Sequence, residues 1–456
     1  MSSGKKFPQY LAAVCVSIGA FGTGSVIGWT SNICEDLKNG KLNELEMDDD
    51  QLGWSGSCMT LGAMIMCIPM GFICEMIGRK GAALVAAIPL FLGWVIILFA
   101  NHKGIVYAGR ILCGIGGGSF CVCGPLYTSE ISEPEIRGTL GTFFQLFITI
   151  GILFSNVFGY AMPSIRLFNI ACTSIPVVFA IVFAFQPESP VYYMRKGKQG
   201  KAEKSLERLR GNDYDIRGEL QAIQAAIDQE KQMAGFKVAI KTKAAKKATV
   251  ICFTLMVYQQ FCGINAVTFY TQEIFLAAGS DLEPHWCVII LGIVQVVVTL
   301  CVSWAIEKAG RKILLMVSCG LMALASAMIG LFFTFKNRNL MDEDGVKSIG
   351  FLPIIGVNLF IIAFSIGLGP IPWMASSEIF PPEVKSKCSS AAATFNWFLA
   401  FLVARFYLNL ANAIGNDVTF FIFAAIAGSG IFFTLFVIPE TKAKTFEQIV
   451  AELEGK

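Results

Sequence analysis

Apolar stretches long enough to form buried helices recur along the whole chain, with short polar segments between them. A helix needs ~20 apolar residues to cross the hydrocarbon core of a bilayer. Windows of that length predict helices near 8–30, 51–73, 82–100, 104–127, 139–160 and 165–185. Six more are predicted near 248–277, 285–306, 312–335, 350–374, 387–410 and 418–438. The pattern is that of an all-α membrane protein with twelve transmembrane helices in two groups of six. Between the groups, "KAEKSLERLRG" and "GELQAIQAAIDQEKQM" place charged residues at i,i+4 spacing, which predicts a small soluble helical bundle. The expected divisions are an N-terminal half at 1–185, a helical linker at 186–247, a C-terminal half at 248–440 and a short tail at 441–456.

Composition agrees with a membrane chain. Of 456 residues, 55% are hydrophobic and 15% charged, whereas soluble proteins carry about 25% charged residues. The opening "MSSGKKFPQYLAAVCVSIGAFG" has a long apolar stretch without a small-residue cleavage site, so it reads as a retained first helix. Most of the 15 cysteines fall inside apolar runs, without C-x-x-C or a Cys/His cluster, and the 2 histidines, His102 and His285, sit at run edges. Cysteine here reads as a soft packing residue, and no buried histidine is available for acid–base chemistry. No metal, no cofactor and no enzymatic reaction is expected. "GIGGGS" at 114–119 resembles a dinucleotide fingerprint, but within a membrane helix small residues serve close packing.

Loop charge sets the expected orientation. Residues 35–50 hold seven acids against two lysines, while 191–247 hold fourteen Lys/Arg against seven acids. By the positive-inside rule the linker and both termini face the cytoplasm and the acidic loop faces outside. That topology already accounts for the lysines, so nucleic acid is not an expected partner.

The chain repeats itself. "EMIGRKGAAL" at 75–84 returns as "EKAGRKILLM" at 307–316, "SEISEPEIRG" at 129–138 as "SEIFPPEVKS" at 377–386, and "PESP" at 187–190 as "PETK" at 439–442. The order is kept, which indicates a duplication of two six-helix halves, and parallel halves of this kind are the architecture of rocking transporters. All the repeated phrases fall at cytoplasmic helix ends. Glu130, Arg137, Glu378 and Lys385 are therefore expected to pair across the halves, with Glu75/Arg79 and Glu307/Arg311 as further members of a cytoplasmic gate. Flanking charge that aids insertion is the plainer reading, but it does not explain why one acid–base spacing recurs.

Polar side chains inside apolar helices are costly and tend to face a cavity. Gln145 lies in the fifth predicted span, Gln259, Gln260, Asn265 and Thr268 in the seventh, Gln295 in the eighth and Asn396 in the eleventh. Carboxamides both donate and accept, which suits the vicinal hydroxyls of a neutral polyol. Hydrogen bonding between helices is the competing role for any one of them. Trp373, just after Pro370 and Pro372, would offer a flat face to a sugar ring, and "GPIPW" would break the tenth span. At ~100° per residue Gln260 and Asn265 lie ~140° apart on a regular helix. They can face one cavity only if the helix breaks at Cys262–Gly263.

The motifs "GRILCGIGGGS", "SEISEPEIRGT", "PESP", "QQFCGINAVTFY", "EKAGRK", "GPIPW", "FNW" and "PETKAKT", in this order, resemble the sugar porter family of the major facilitator superfamily over nearly the whole chain. Within the family the chain resembles the facilitated trehalose transporters and facilitative glucose transporters. The resemblance implies the major facilitator fold, a neutral sugar as partner, and a sugar site at the amides and Trp373. It also implies facilitative uniport by a monomer in the plasma membrane. A proton-coupled symporter is the alternative, and a sugar sensor, which needs a long signalling tail, a more distant one. In proton-linked members an acid of the first helix pairs with an arginine of the fourth. Arg110 stands at the arginine position, whereas "SIGAFGTGSVIGW" has no acid and Gly24 is expected at its place.

Overall fold

The computed structural model describes residues 4–211, 214–232, 236–268, 271, 275, 284–338, 340–442, 444 and 446–454. Among them all regular structure is helical. Among the described residues eleven helices are long and apolar enough to cross a membrane, and the shorter apolar stretch Val288–Ser303 supplies the twelfth span.

The first half comprises α1 (Phe7–Lys38), α2 (Asp49–Ile77), α3 (Arg79–Leu98), α4 (Lys103–Ile131), α5 (Pro134–Ala161) and α6 (Ile165–Ala184). The linker forms α7 (Pro190–Arg195), α8 (Gln199–Arg210), α9 (Ile216–Gln232) and α10 (Phe236–Ala239). The second half comprises α11 (Lys243–Phe261), α12 (Pro284–Ala309), α13 (Arg311–Asn337), the short α14 (Glu343–Ser348), α15 (Phe351–Ile366), α16 (Ile371–Glu378), α17 (Pro382–Ile414) and α18 (Asn416–Val437), followed by α19 (Phe446–Glu454). The predicted tenth span is thus the broken pair α15–α16. Several boundaries move; in particular α1 runs on to Lys38, beyond the apolar window, and α11 starts at Lys243, inside the expected linker. In both cases a helix continues past the apolar stretch into residues that polar surroundings can solvate.

Local sequence explains several starts. Asp48 caps α2 by accepting from the Gln51 amide at 2.8 Å. Pro134 and Pro382 occupy the first turns of α5 and α17, where a missing N–H costs nothing and a fixed φ favours the helix. Gly78 and Gly310, with φ of +91° and +86°, precede α3 and α13 and make the sharp reversals between consecutive spans.

The packing is duplicated. In the first half α1 packs on α5 and α6, α4 on α2 and α3, and α3 on α6. In the second, α11 packs on α17 and α18, α15 on α12 and α13, and α13 on α18. The halves meet along α2–α17 and α5–α12, two seams that exchange when the halves are swapped. The "GIGGGS" segment of α4 faces three neighbours at once: Gly114 and Gly118 lie on Met59 and Ala63 of α2, Gly116 on Ala86 and Leu90 of α3, and Gly117 on Thr23 of α1. Its small residues serve close backbone approach.

The linker has a core of its own, with Met194, Ala202, Leu206, Leu220 and Ile227 buried together. Arg210, fully buried, fastens it to the first half: its Nη1 donates to Ile131 O at 2.7 Å, and its Nε and Nη2 donate to Glu219 at 3.1 and 2.9 Å. Gly4 and Glu454 lie at this same end of the bundle. The Gly4 amide donates to Glu133 at 3.1 Å, and Lys243 Nζ donates to Glu454 O at 2.7 Å.

Candidate functional site

The regular part of α11 ends at Phe261, Gly263 follows with φ +97°, and helix resumes at 264–268. A Cβ at Gly263 would lie 2.6 Å from the Phe423 ring, so both the backbone angle and the space call for glycine. The break turns Asn265 back on Gln260, whose Oε1 accepts from Asn265 Nδ2.

From there one chain of amides crosses to the next helices. Gln260 Nε2 donates to Asn396 Oδ1 at 2.8 Å, and Asn396 Nδ2 donates to Gln259 Oε1 at 2.6 Å. Gln259 Nε2 donates in turn to Leu368 O at 2.7 Å and Gly369 O at 2.9 Å. The last step has a clear cause. In a continuous helix Leu368 O would accept from residue 372, and Pro372 has no N–H. Gln259 supplies the donor and holds the gap between α15 and α16. Its two N–H groups are thereby committed to the break at Pro370 and Pro372.

The other candidates keep hydrogen-bonding capacity. Gln260 retains one N–H, and Asn265 retains its Oδ1 and one N–H while only half-buried. Gln145, half-buried, and Gln295, buried, make no side-chain hydrogen bond among the described residues. Thr268 and Trp373 are half-buried as well. Trp373 packs on the apolar cluster of the first half, which also receives Ala393, Trp397 and Ala400 of α17. Trp373 and these α17 residues bring the second half against the first, next in sequence to Asn396.

At the linker end the repeated charges form two copies of one network, each inside its own half. Arg79 Nη2 and Nε donate to Glu130 Oε1 at 2.7 and 3.0 Å, and Ser189 Oγ donates to Glu130 Oε2. Arg311 Nη2 donates to Glu378 Oε1 at 3.0 Å, and Thr441 Oγ1 donates to Glu378 Oε2 at 2.5 Å. Glu188 takes the amides of Arg79 and Lys80 at 3.0 Å, and Glu440 takes those of Arg311 and Lys312 at 3.0 Å, each carboxylate capping a helix start. Burial pushes the Glu188 carboxyl above its ordinary range despite three backbone donors. Glu440 is also raised by burial, but the amides of Lys442, Arg311 and Lys312 outweigh this and leave it below the ordinary range.

The expected pairing of Glu130 and Glu378 across the halves is therefore corrected. Each acid has its arginine one repeat phrase away in the same half, where the reversal at Gly78 or Gly310 delivers it. Arg137 donates to Ser132 O at 3.3 Å on its own segment. Lys385 is exposed, and neither it nor Arg137 makes an ion pair among the described residues, where an acid–base pair was expected. Glu75 is exposed and makes no ion pair among the described residues; the Glu307 side chain lies outside them. Sequence reasoning also missed Glu188, Glu440 and Arg210; the repeated PE dipeptide was the available signal for the first two.

The networks differ in exposure. Arg79 and Glu130 side chains are 4% and 11% exposed, against 10% and 24% for Arg311 and Glu378. Removing one partner of a buried pair costs about 3–5 kcal/mol. Arg79→Ala is accordingly expected to lower the thermal midpoint of the purified protein more than Arg311→Ala. The reverse order would mean that the first network does not carry its half.

The chain matches the family of sugar (and other) transporters over residues 12–453. It belongs to this sugar transporter family. The facilitated trehalose transporter Tret1 of Polypedilum vanderplanki is 34% identical over 452 residues, 99% of this chain and 89% of that protein. Its namesake from Aedes aegypti is 34% identical over 450 residues, 98% of this chain but 55% of the relative, so the chain spans about half of that protein's length. Among solved structures, the proton:xylose symporter XylE bound to 6-bromo-6-deoxy-D-glucose has a TM-score of 0.80 at 23% identity, covering 98% of this chain and 99% of that one. An inward open conformation of XylE from E. coli has a TM-score of 0.76 at 23% identity, covering 96% and 98%. These structures share the major facilitator fold.

Arg110 is fully buried; its Nε donates to Ser55 O at 3.0 Å, Nη1 to Val26 O at 2.8 Å and Nη2 to Thr30 Oγ1 at 2.5 Å. Its guanidinium also stacks 5.1 Å from the Trp29 ring. A Cβ at Gly24 would lie 2.0 Å from Ile148 O, so position 24 serves the α1–α5 contact, while Arg110 meets α1 at Val26, Trp29 and Thr30.

Proposed function

We propose that the chain is a facilitative carrier for a neutral sugar, with trehalose the first candidate and hexoses the second, acting as a monomer in the plasma membrane with the linker and both termini in the cytoplasm. The observation that carries this reading is the amide array. Gln260 and Asn265, turned together by the break after Phe261, leave hydrogen-bonding groups of both kinds unused inside the second half. Vicinal hydroxyls complement such groups without a charge of their own. The names of the relatives, facilitated trehalose transporters, support trehalose. The excess of Lys and Arg in the linker supports a cytoplasmic linker.

Alternating access follows from the duplicated packing. The two seams exchange under the pseudo-twofold, so rocking one half against the other opens one end while closing the other. The broken helices on either side of the amide array, α11 at Gly263 and α15–α16 at Pro370, supply the local bending. Uniport is supported by the sequence of the first span, "SIGAFGTGSVIGW", which holds no acid to carry a proton.

Radiolabelled uptake of trehalose, glucose and fructose in a transport-null cell, at two external pH values, tests the proposal. Saturable uptake of one of them, with initial rates independent of a proton gradient, is the expected result. A sugar-evoked inward current that grows as external pH falls would replace uniport by proton symport. Absence of uptake for all three would remove the sugar reading.

A further inference from the structure

This inference rests on the transport reading above and concerns the end of the bundle opposite the linker, the outer end in that reading. There the halves are clasped by residues with no counterpart in the repeated phrases. Arg405 of α17 reaches across to α2, where its Nη2 donates to Asp50 Oδ1 at 2.6 Å. Its guanidinium lies 4.8 Å from the centroid of Trp54, and Trp54 rests on Phe401 with centroids 6.4 Å apart. Nη1 donates to Asn409 Oδ1 at 3.2 Å, one turn along α17. The other seam at this end is held by Asn156 Nδ2 donating to Val288 O at 3.1 Å, and by Tyr160 stacked 3.7 Å from His285.

Beside the clasp is an open depression of about 450 Å³ lined by Asp50, Leu408, Asn409, Asn412 and Ala413, all but Leu408 exposed. The lining offers one carboxylate, two carboxamides and short aliphatic walls. A carboxylate accepts from two hydroxyls and each carboxamide both gives and takes, the complement of a polyol. Arg405 already balances the charge of Asp50, so the depression favours a neutral ligand over an ion. Two of its polar groups, Asp50 and Asn409, are also the hydrogen-bond partners of Arg405.

We infer that this depression is a second, outer sugar site, and that sugar binding there draws Asp50 and Asn409 away from Arg405 and releases the clasp. The Asp50 side chain is 59% exposed, and an ion pair with one partner largely in water is weak enough for a ligand's hydrogen bonds to displace. External sugar then favours the outward-open state before it reaches the central amides. Asn412 takes part in binding but not in the clasp, which separates the two roles.

The test uses the full chain in a transport-null cell, with Ala413→Cys in the wall of the depression and a membrane-impermeant thiol reagent, read against labelling of the parent chain. Excess external trehalose is expected to slow labelling about 2-fold or more, as occupancy of over half the sites requires. The protection should persist when Gln260→Ala removes the central site and should disappear with Asn412→Ala. Labelling that trehalose does not change would overturn the outer site. So would protection that vanishes with Gln260→Ala, because it would then come from the central site through a conformational change. Uptake by the unmodified chain is measured in parallel, so a failure of the sugar reading itself shows separately as absent transport.

Discussion

Asn396→Ala is expected to lower sugar uptake about tenfold or more while the protein still reaches the cell surface. Asn396 is the node between two amides that cannot meet without it. It accepts from Gln260 Nε2 at 2.8 Å and donates to Gln259 Oε1 at 2.6 Å. Without it, a buried N–H of Gln260 and a buried oxygen of Gln259 lose their partners, and each such loss costs about 1–3 kcal/mol. Gln260 is then free to turn away from Asn265, and Gln259 loosens its hold on Leu368 and Gly369 across the gap in α15–α16. A loss of 1.4 kcal/mol in effective binding is already about tenfold. Initial rates normalised to surface protein decide the matter. Wild-type uptake in Asn396→Ala would show that the amide chain is interhelical packing and nothing more.

The fold was legible in the sequence because a bilayer forces one signal on every span. Long apolar windows mark helices, and phrases repeated in order mark two halves. Element ends were less legible, because helix formation continues wherever water or headgroups can solvate a polar residue, as at Glu35–Lys38 and from Lys243 onward. The "GIGGGS" segment could be assigned to packing from its setting in a span, but nothing in the sequence said that consecutive glycines would serve three different neighbours.

Within the candidate site the limits were of another kind. Angular arithmetic on a regular helix sufficed to locate the interruption at Cys262–Gly263, since two polar residues ~140° apart had to be reconciled. What the arithmetic could not supply was the division of labour among amides. Gln259 and Gln260 look alike in sequence, yet one faces the missing N–H of Pro372 and the other meets Asn265. The charged phrases misled for a similar reason. Their spacing repeats in both halves, which fits a pairing across halves as well as one within each. Only the reversals at Gly78 and Gly310 settle that Arg79 meets Glu130 and Arg311 meets Glu378. Asp50 and Arg405 were invisible because their pairing depends on how two distant spans converge, and no repeat marks them.

Gly114→Leu is expected to abolish the folded protein, the largest effect of any single substitution considered. Between membrane helices there is no hydrophobic drive, so association depends on close van der Waals contact. At Gly114 that contact is backbone to backbone: a Cβ would lie 2.0 Å from Met59 O, 2.8 Å from Met59 C and 3.1 Å from Ala63 N. Overpacking usually costs about 1–3 kcal/mol because a neighbouring side chain gives way. Here only helices can give way, and separating α2 from α4 also opens the contacts of Gly62 on Ile111 and Gly118 on Ala63 along the same seam. The seam matters beyond its own half, since α2 is also the helix that meets α17. Size-exclusion profiles in mild detergent should lose the monodisperse peak, and uptake should be absent. Gly141→Leu is the control, because nothing lies within 4 Å of a Cβ at that position of α5. If Gly114→Leu elutes and transports like the parent while Gly141→Leu does the same, the α2–α4 approach is not what holds the first half together.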